Sequence, residues 1–371
     1  MIYFDNAATG FPKDKNAVYE ITKAIKNCGN PGRSGHKYSI YASEILYSTR
    51  EELANLFNTV PEKVILCPSA TYALNIAIKG LYDHKGKILI SDLEHNSVIR
   101  PSVSSGETEI FVVDMDDDNV TLENFKSKIS GDVSLVVVTH ASNVCGRILP
   151  IEKIASICNQ YKIPIIVDAS QTAGYLQIDL KKYLIDAVCI PGHKGFYGPM
   201  GTGALIINSQ KNLVFKTIIQ GGTGILSSEA EMPMELPERL EAGTVGVHNF
   251  AGLTAALKKC KFECNYREMF FFLNDELSRI KNIKQYGFSI KSKEQYVPII
   301  LFNCLDIVSY DLSDLLSERG FCVRSGFHCS PLAHHKFMTG DNGAVRISLG
   351  KKNTMSECER FIGVIKEFCR K

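Results

Sequence analysis

No apolar run long enough to cross a membrane, no block of like charge and no nucleotide-binding fingerprint occur in this sequence of 371 residues. Each absence removes a class of function. A spanning helix needs about 20 consecutive apolar residues, and none is offered. The formal net charge is only +2, with both signs interspersed, so there is no broad basic field for nucleic acid and no charged tail. The opening Met-Ile-Tyr-Phe-Asp-Asn has neither the basic stretch nor the apolar core of a secretory leader, and a cytoplasmic location is expected. Gly80 to Lys87 is one residue too long for a Walker loop and lacks its hydroxyl, and no strand pattern runs into a well-formed G-x-G-x-x-G. Metal motifs are missing too. Of the 12 cysteines, Cys67, Cys158, Cys189, Cys260 and Cys369 fall in apolar or helical patterns, where a thiol packs as a small hydrophobe. The C-x-x-x-C of Cys260 and Cys264 has no second pair, and Cys322 to His335 gathers two cysteines and three histidines without regular zinc spacing. Reduced thiols and no bound metal are expected.

What is present is a large α/β pattern. The length allows one large core and a second, smaller one. Short runs, most of them apolar throughout, at Val64 to Cys67, Lys87 to Ser91, Ile110 to Val113, Leu135 to Thr139, Ile163 to Asp168, Ala187 to Ile190 and Ala204 to Ile207 read as strands buried on both faces of a mainly parallel sheet. Helical patterns alternate with them, including Ala17 to Lys26, Ser39 to Phe57 with Ile40, Ile45, Leu46, Leu53 and Leu56 on its apolar side, and Tyr72 to Leu81. The class is therefore α/β, doubly wound. A loop of three glycines with Arg33 and His36 precedes the second helix, either as plain connection or as a site wall. From about Lys259 onward helices and strands, among them Phe321 to Arg324 and Ala344 to Leu349, form a smaller α+β domain with the N-terminal arm laid against it. The predicted division is 15–258 for a large cofactor-binding domain and 1–14 with 259–371 for the small one.

Polar residues gather just beyond the predicted strands, where open α/β sheets bind ligands. Glu94-His95-Asn96 follow one strand, Asn143 another, Asp168 and Gln171 a third, and Lys194 lies in the glycine-dense stretch Pro191-Gly-His-Lys-Gly-Phe-Tyr-Gly-Pro-Met-Gly. Singly each has an ordinary reading: a solvated loop lysine, a loop histidine, a turn acid, a helix-start glutamine. Ser69 to Thr71 is a plain helix cap or a phosphate seat. Jointly they meet what pyridoxal phosphate needs, namely an amine for its aldehyde, an acid for its ring nitrogen, a flat group on its ring, a donor to its phenolic oxygen and a helix start for its phosphate. Asp168, closing an apolar run, would be an expensive carboxylate unless something cationic compensated it.

The series Asp5-Asn-Ala-Ala-Thr, Leu93-Glu-His95-Asn-Ser, Asp168-Ala-Ser-Gln171, Gly192-His-Lys194 with Gly198-Pro, Glu241-Ala-Gly-Thr244 and Arg324-Ser-Gly-Phe-His-Cys329 resembles the class V aminotransferase-like enzymes, and within them the cysteine desulfurases of the SufS-like group. The resemblance spans nearly the whole chain in order. It implies the PLP type I fold, with a large mainly parallel sheet of seven-stranded type and a smaller α+β domain. It also implies a homodimer with shared sites, and pyridoxal 5'-phosphate as cofactor. By resemblance Lys194 is the Schiff-base lysine, Asp168 the pyridinium partner and Gln171 the phenolate donor. His95 stacks on the ring and, as a catalytic residue beside Lys194 and Cys329, handles the substrate thiol proton; His193 contacts phosphate with Ala70 and Thr71, and Thr244 reaches the partner subunit's phosphate. Asn143 borders cofactor and substrate, Ala7 the substrate. The implied reaction turns L-cysteine into L-alanine and leaves the sulfur as a persulfide on Cys329, for transfer to an acceptor protein. L-selenocysteine is the alternative substrate, and another class V lyase or transaminase the alternative activity.

The chain departs from the pattern locally. Pro191 stands where a serine precedes the His-Lys pair, Ala70 where a threonine is common, and Phe327 where a histidine often precedes His-Cys. The phosphate cup must then lean on backbone N–H groups, Thr71, His193 and Thr223. Two arginines, Arg324 and Arg346, suit a substrate carboxylate, Arg346 before Arg324, which reads equally as a surface ion-pair residue. Cys329 lies on a loop between His328 and Ser330-Pro331, the setting in which a thiol is exposed enough to act as a nucleophile.

Overall fold

The computed structural model describes residues 1–32, 34–262 and 266–369. Arg33 of the glycine loop and Cys264 of the C-x-x-x-C pair lie outside them. In chain order the arm strand β1 Ile2–Tyr3 is followed by the elements of the large lobe, α1 Lys15–Asn27, α2 Lys37–Phe57, β2 Val64–Cys67, α3 Ala70–Leu81, β3 Lys87–Ser91, α4 Asn96–Ser105 and β4 Thr108–Phe111. They continue with α5 Asp118–Lys128, β5 Val133–Thr139, α6 Ile151–Tyr161, β6 Ile165–Asp168, β7 Ala187–Pro191, β8 Gly203–Ile207 and α7 Val247–Leu257. Seven strands form one sheet in the order β2-β8-β7-β6-β5-β3-β4. All neighbours are parallel except at β8, which runs antiparallel to both β2 and β7.

Period two sorts this sheet's side chains into two cores. Leu89, Val136, Val138, Ile165, Val167, Val188, Ile190 and Ile206 face one way, onto Leu53 and Phe57 of α2, Ile154 of α6 and Leu253 of α7. Ile88, Ile90, Leu135, Val137, Ile166, Cys189, Leu205 and Ile207 face the other, onto Ala73, Leu74, Ala77 and Ile78 of α3. A strand covered on both faces reads as continuous apolar sequence, which is why periodicity marked these strands.

Two sequence expectations shift. The strand predicted at Ile110 to Val113 is observed at Thr108–Phe111, because β4 pairs with β3 in the register Ile88 to Thr108 through Ser91 to Phe111, and the Asp92 carboxylate then takes the Val113 N–H at 3.0 Å. The buried stripe of α2 runs through Ala42, Leu46, Thr49, Leu53 and Phe57, while Ile40 is 48% exposed.

The second lobe follows with α8 Arg267–Ser278, β9 Ile283–Tyr286, β10 Ile299–Cys304, α9 Ser309–Glu318, β11 Phe321–Cys322, α10 Pro331–Phe337, β12 Val345–Ser348 and α11 Met355–Phe368. Strands β12-β10-β9 form an antiparallel sheet, and β1 pairs with β11. Phe4, Phe302, Phe321 and Phe361 share its core, so the N-terminal arm belongs to this lobe's packing. The strand expected over Phe321 to Arg324 is shorter than expected; Arg324 contributes only an isolated bridge to Arg346.

Candidate active site

The parallel strands end at one cleft with about 470 Å³ of empty volume, lined by Ser69, Ala70, Thr71, His95, Ser97, Thr139, Ala141, Asn143, Asp168, Ser170, Gln171, Pro191, His193 and Lys194. Eight residues expected at the cofactor therefore share one cavity: Lys194, Asp168, Gln171, His193, His95, Asn143, Ala70 and Thr71.

Lys194 follows β7 in a loop whose backbone is pinned by the N-terminal arm. Gly10 N–H donates to the His193 carbonyl at 2.9 Å, and a Cβ on Gly10 would stand 2.4 Å from the Lys194 carbonyl oxygen, so only glycine allows this approach. The Lys194 amine has no hydrogen bond to the protein and faces the cleft. Burial pulls its pKa down to about 8, against the opposing pull of Asp168. An amine so poised is neutral over part of the working pH range and nucleophilic there.

Asp168 ends β6 and is 3% exposed. One of its carboxylate oxygens, Oδ1, accepts from Ser170 N at 2.9 Å and from Ser170 Oγ at 2.5 Å. Burial raises its pKa even so. A buried carboxylate with its hydrogen bonds on one oxygen, facing a cleft, fits a cationic ring nitrogen.

His95 caps α4: its Nδ1 accepts from Ser97 N at 3.0 Å, and burial, then the charge of Lys194, lowers its pKa to about 4. The neutral ring therefore carries its hydrogen on Nε2 and presents a donor there; it could take a further proton only at Nδ1, by giving up the cap. Ser97 Oγ also bonds His95 Nδ1 and Thr71 Oγ1, each at 2.8 Å. The α3 start is capped by Ser69, whose side chain accepts from Tyr72 N. This leaves the N–H groups of Ala70 and Thr71 without intrahelical partners, at the positive end of the helix dipole. A Cβ on Gly203 would meet the Ile190 oxygen and Ser69 carbon, each at 2.7 Å. Glycine there lets β8 close against this helix start.

Sequence reasoning did not reach the groups that orient the set. Lys13 donates to the His193 carbonyl at 2.8 Å and to Thr9 Oγ1 at 2.9 Å. Thr9 Oγ1 in turn lies 3.1 Å from His193 Nδ1. Burial, then the charges of Lys194 and Lys13, holds His193 at about 4. Glu94, fully buried, has its pKa raised to about 8 by burial, and accepts from Ser91 Oγ at 2.5 Å and Thr139 N at 2.8 Å. Its signal was present as an acid directly before His95. Gln171 Nε2 donates to the Ala7 carbonyl at 3.2 Å, which leaves one amide hydrogen for a ligand.

The second lobe meets the cleft wall at Asn143. Arg346 in β12 is 2% exposed. Its Nη1 donates to the Asn143 carbonyl at 2.9 Å and its Nη2 to Asp5 Oδ1 at 2.8 Å, while its Nε is buried without a partner. An orphaned guanidinium donor calls for an anion. Arg324, in contrast, is exposed. Cys329 is the exposed cysteine among the described residues. Its loop is latched beside the cleft, with Asn96 N donating to the Cys329 carbonyl at 2.7 Å and Asn143 Nδ2 to the His328 carbonyl at 2.8 Å. Thr244 and Thr223 line no part of this cleft, and Thr244 is exposed.

This fold and site define a class, and comparison with known proteins gives the same one. The aminotransferase class-V profile matches residues 2–361, and the chain belongs to that family. It is 30% identical over 384 residues to a probable cysteine desulfurase of Xylella fastidiosa, covering 98% of this chain and 90% of that protein. A probable cysteine desulfurase of Pyrococcus abyssi is 29% identical, over 100% of this chain and 94% of the relative. The structure of a cysteine desulfurase from Thermococcus onnurineus, solved in its apo form, superposes with a TM-score of 0.90 at 26% identity, covering 100% of this chain and 94% of that one.

Proposed function

We propose that this chain is a pyridoxal phosphate-dependent cysteine desulfurase, converting L-cysteine to L-alanine with transfer of the sulfur to Cys329. The observation that carries the reading is the meeting of Lys194 and Asp168 in one cleft with an exposed cysteine loop latched beside it. When bound, pyridoxal phosphate supplies an aldehyde for an amine and a cationic ring that takes up the electrons of a Cα carbanion. Lys194 would hold it covalently, Asp168 would keep the proton on its ring nitrogen, and Gln171 would donate to its phenolic oxygen. The His95 ring would cover its face. The helix start at Ala70 and Thr71, with His193, would take the phosphate, and Pro191 adds no hydroxyl there.

Arg346 binds the substrate carboxylate and so fixes which bond at Cα faces Lys194. The Lys194 amine, freed when the substrate's own amine takes its place, would then move the Cα proton. The Cys329 thiolate attacks the substrate sulfur. The electron pair of the carbon–sulfur bond stays with carbon, which takes a proton, and the products are a Cys329 persulfide and L-alanine. An acceptor protein with its own thiol fits the exposure of Cys329. The same proposal includes a homodimer in which Thr244 completes the partner's phosphate site, and a division at 15–258 and 1–14 with 259–371. A cytoplasmic, reducing setting belongs to it too, and suits the described cysteines, all of which are free thiols.

Cys329→Ala is the test. The variant should keep the cofactor and still change its absorbance on adding L-cysteine, while alanine and sulfide release stop and the persulfide on the Cys329 peptide disappears from mass spectra. Release of alanine and sulfide at the wild-type rate would make Cys329 a bystander and return the choice to another class V lyase or transaminase.

A further inference from the structure

We propose that His334, on α10, is a positioning residue for the sulfur-transfer step: acting through His328, it locks the backbone of the loop that presents Cys329. The proposal rests on the desulfurase reading above. His328 and Cys329 are consecutive non-glycine residues in the left-handed region, with φ of 51° and 56°, a conformation that L side chains resist. Something must hold them there. On one side the clamps are backbone-directed, from Asn96 N and Asn143 Nδ2, with Ser330 Oγ donating to Asn143 Oδ1 at 2.7 Å. On the other side the clamp is a chain of rings.

The order of that chain follows from its end. The Arg324 carbonyl can only accept, so His328 Nε2, 3.3 Å away, carries the hydrogen and His328 Nδ1 is bare. His334 Nε2, 3.1 Å from that bare nitrogen, must therefore be the donor. His334 Nδ1 is then bare in turn and accepts from Thr339 Oγ1 at 2.9 Å. The two rings lie edge to edge and nearly coplanar, centroids 5.3 Å apart at 18°, as their N–H···N bond requires, and Phe327, where a histidine would more often stand, puts its ring against His334 at 5.3 Å and 67°. His328 is 5% and His334 2% exposed.

Every ring nitrogen is thus committed, and the charged groups facing the pair, Arg346 and Arg324, are both cationic and reinforce burial in keeping it neutral. Neither histidine has a free lone pair for the Cys329 proton. Their role is to fix one tautomer and one loop geometry, in the way that a ligand histidine is oriented by its outer partner.

The experiment compares His334→Leu with His334→Gln in the cofactor-loaded full chain. Leucine removes the donor to His328; glutamine places an amide N–H near the position of Nε2. In His334→Leu the kcat for L-cysteine should fall about tenfold, within the range seen when an outer-shell partner is removed. KM and the L-cysteine-induced absorbance change should stay as in the wild type, and amide exchange should speed up in peptides covering 324–331 but not in the seven-stranded sheet. His334→Gln should recover most of the kcat and the protection. Should the leucine variant not fold, Thr339→Val, which removes only the far donor, should show the same pattern at smaller size. Unchanged kcat and exchange in the leucine or valine variant would overturn the proposal. Equal impairment of His334→Leu and His334→Gln would also overturn it. Failure of the wild type to form a Cys329 persulfide would sink the desulfurase reading instead, and the exchange comparison would still report on the loop.

Discussion

At the scale of single residues the site is governed by burial acting on charge. Lys194 ordinarily titrates near 10.5 and is brought to about 8 by burial. Only the neutral amine can attack an aldehyde, so its fraction grows tenfold per pH unit up to about 8 and then levels. Protein stripped of cofactor should therefore regain its visible absorbance, in stopped-flow mixing with pyridoxal phosphate, about tenfold faster at pH 7.5 than at pH 6.5. The rate should gain little above pH 8.5. A flat profile would mean that the amine is already neutral at pH 6.5 or that another step limits. The sign for stability agrees. Between the lowered pKa and the ordinary one the unfolded chain binds more protons than the folded one, so this group's contribution to the stability of the cofactor-free protein rises with pH across that window.

At the scale of elements, the turn from β7 to β8 and the start of α3 depend on one missing side chain. Gly203→Ala would place a Cβ against the Ile190 oxygen, the Ser69 carbon and, at 3.0 Å, the Ala70 nitrogen. Something must shift, and the nearest movable part is the α3 start proposed to take the phosphate. Cofactor affinity, read by absorbance titration, should fall about tenfold or more with the far-UV spectrum unchanged, as loss of a well-placed anion contact predicts. Unchanged affinity would show that the phosphate is held elsewhere. Strands and cap positions of this kind were legible from sequence, because a strand buried on both faces announces itself and Ser69 sits at a strand-to-helix boundary. The orienting contacts were not. Thr9 reaches His193 across 184 positions and Arg346 reaches Asp5 across 341, and no local pattern encodes such partners. The His328–His334 pair escaped on other grounds: spacing placed both near Cys329, but the hydrogen bonds that spend their lone pairs form only once α10 is folded back.

At the scale of the whole molecule, the exposed apolar groups Val18, Tyr19 and Ile25 of α1 and Tyr38, Ile40 and Tyr47 of α2 give the proposed dimer a surface to bury. The cofactor-loaded protein should sediment at twice the chain mass of 41.2 kDa. Thr244→Ala should lower cofactor affinity although Thr244 lines no part of its own cleft. A monomer with full cofactor affinity would overturn the shared site.

The arm that carries Gly10 and Asp5 has a further consequence, one of timing. Synthesis delivers Asp5 341 residues before Arg346, yet the two are joined in the finished site, and β1 has no strand to pair with until β11 has emerged. The large sheet can be complete, with Lys194 and Asp168 in place, while the arm still waits for its partner. The nascent chain thus passes through a stage that owns the cofactor's lysine but not the substrate's arginine, and turnover becomes possible only once β12 has joined the arm.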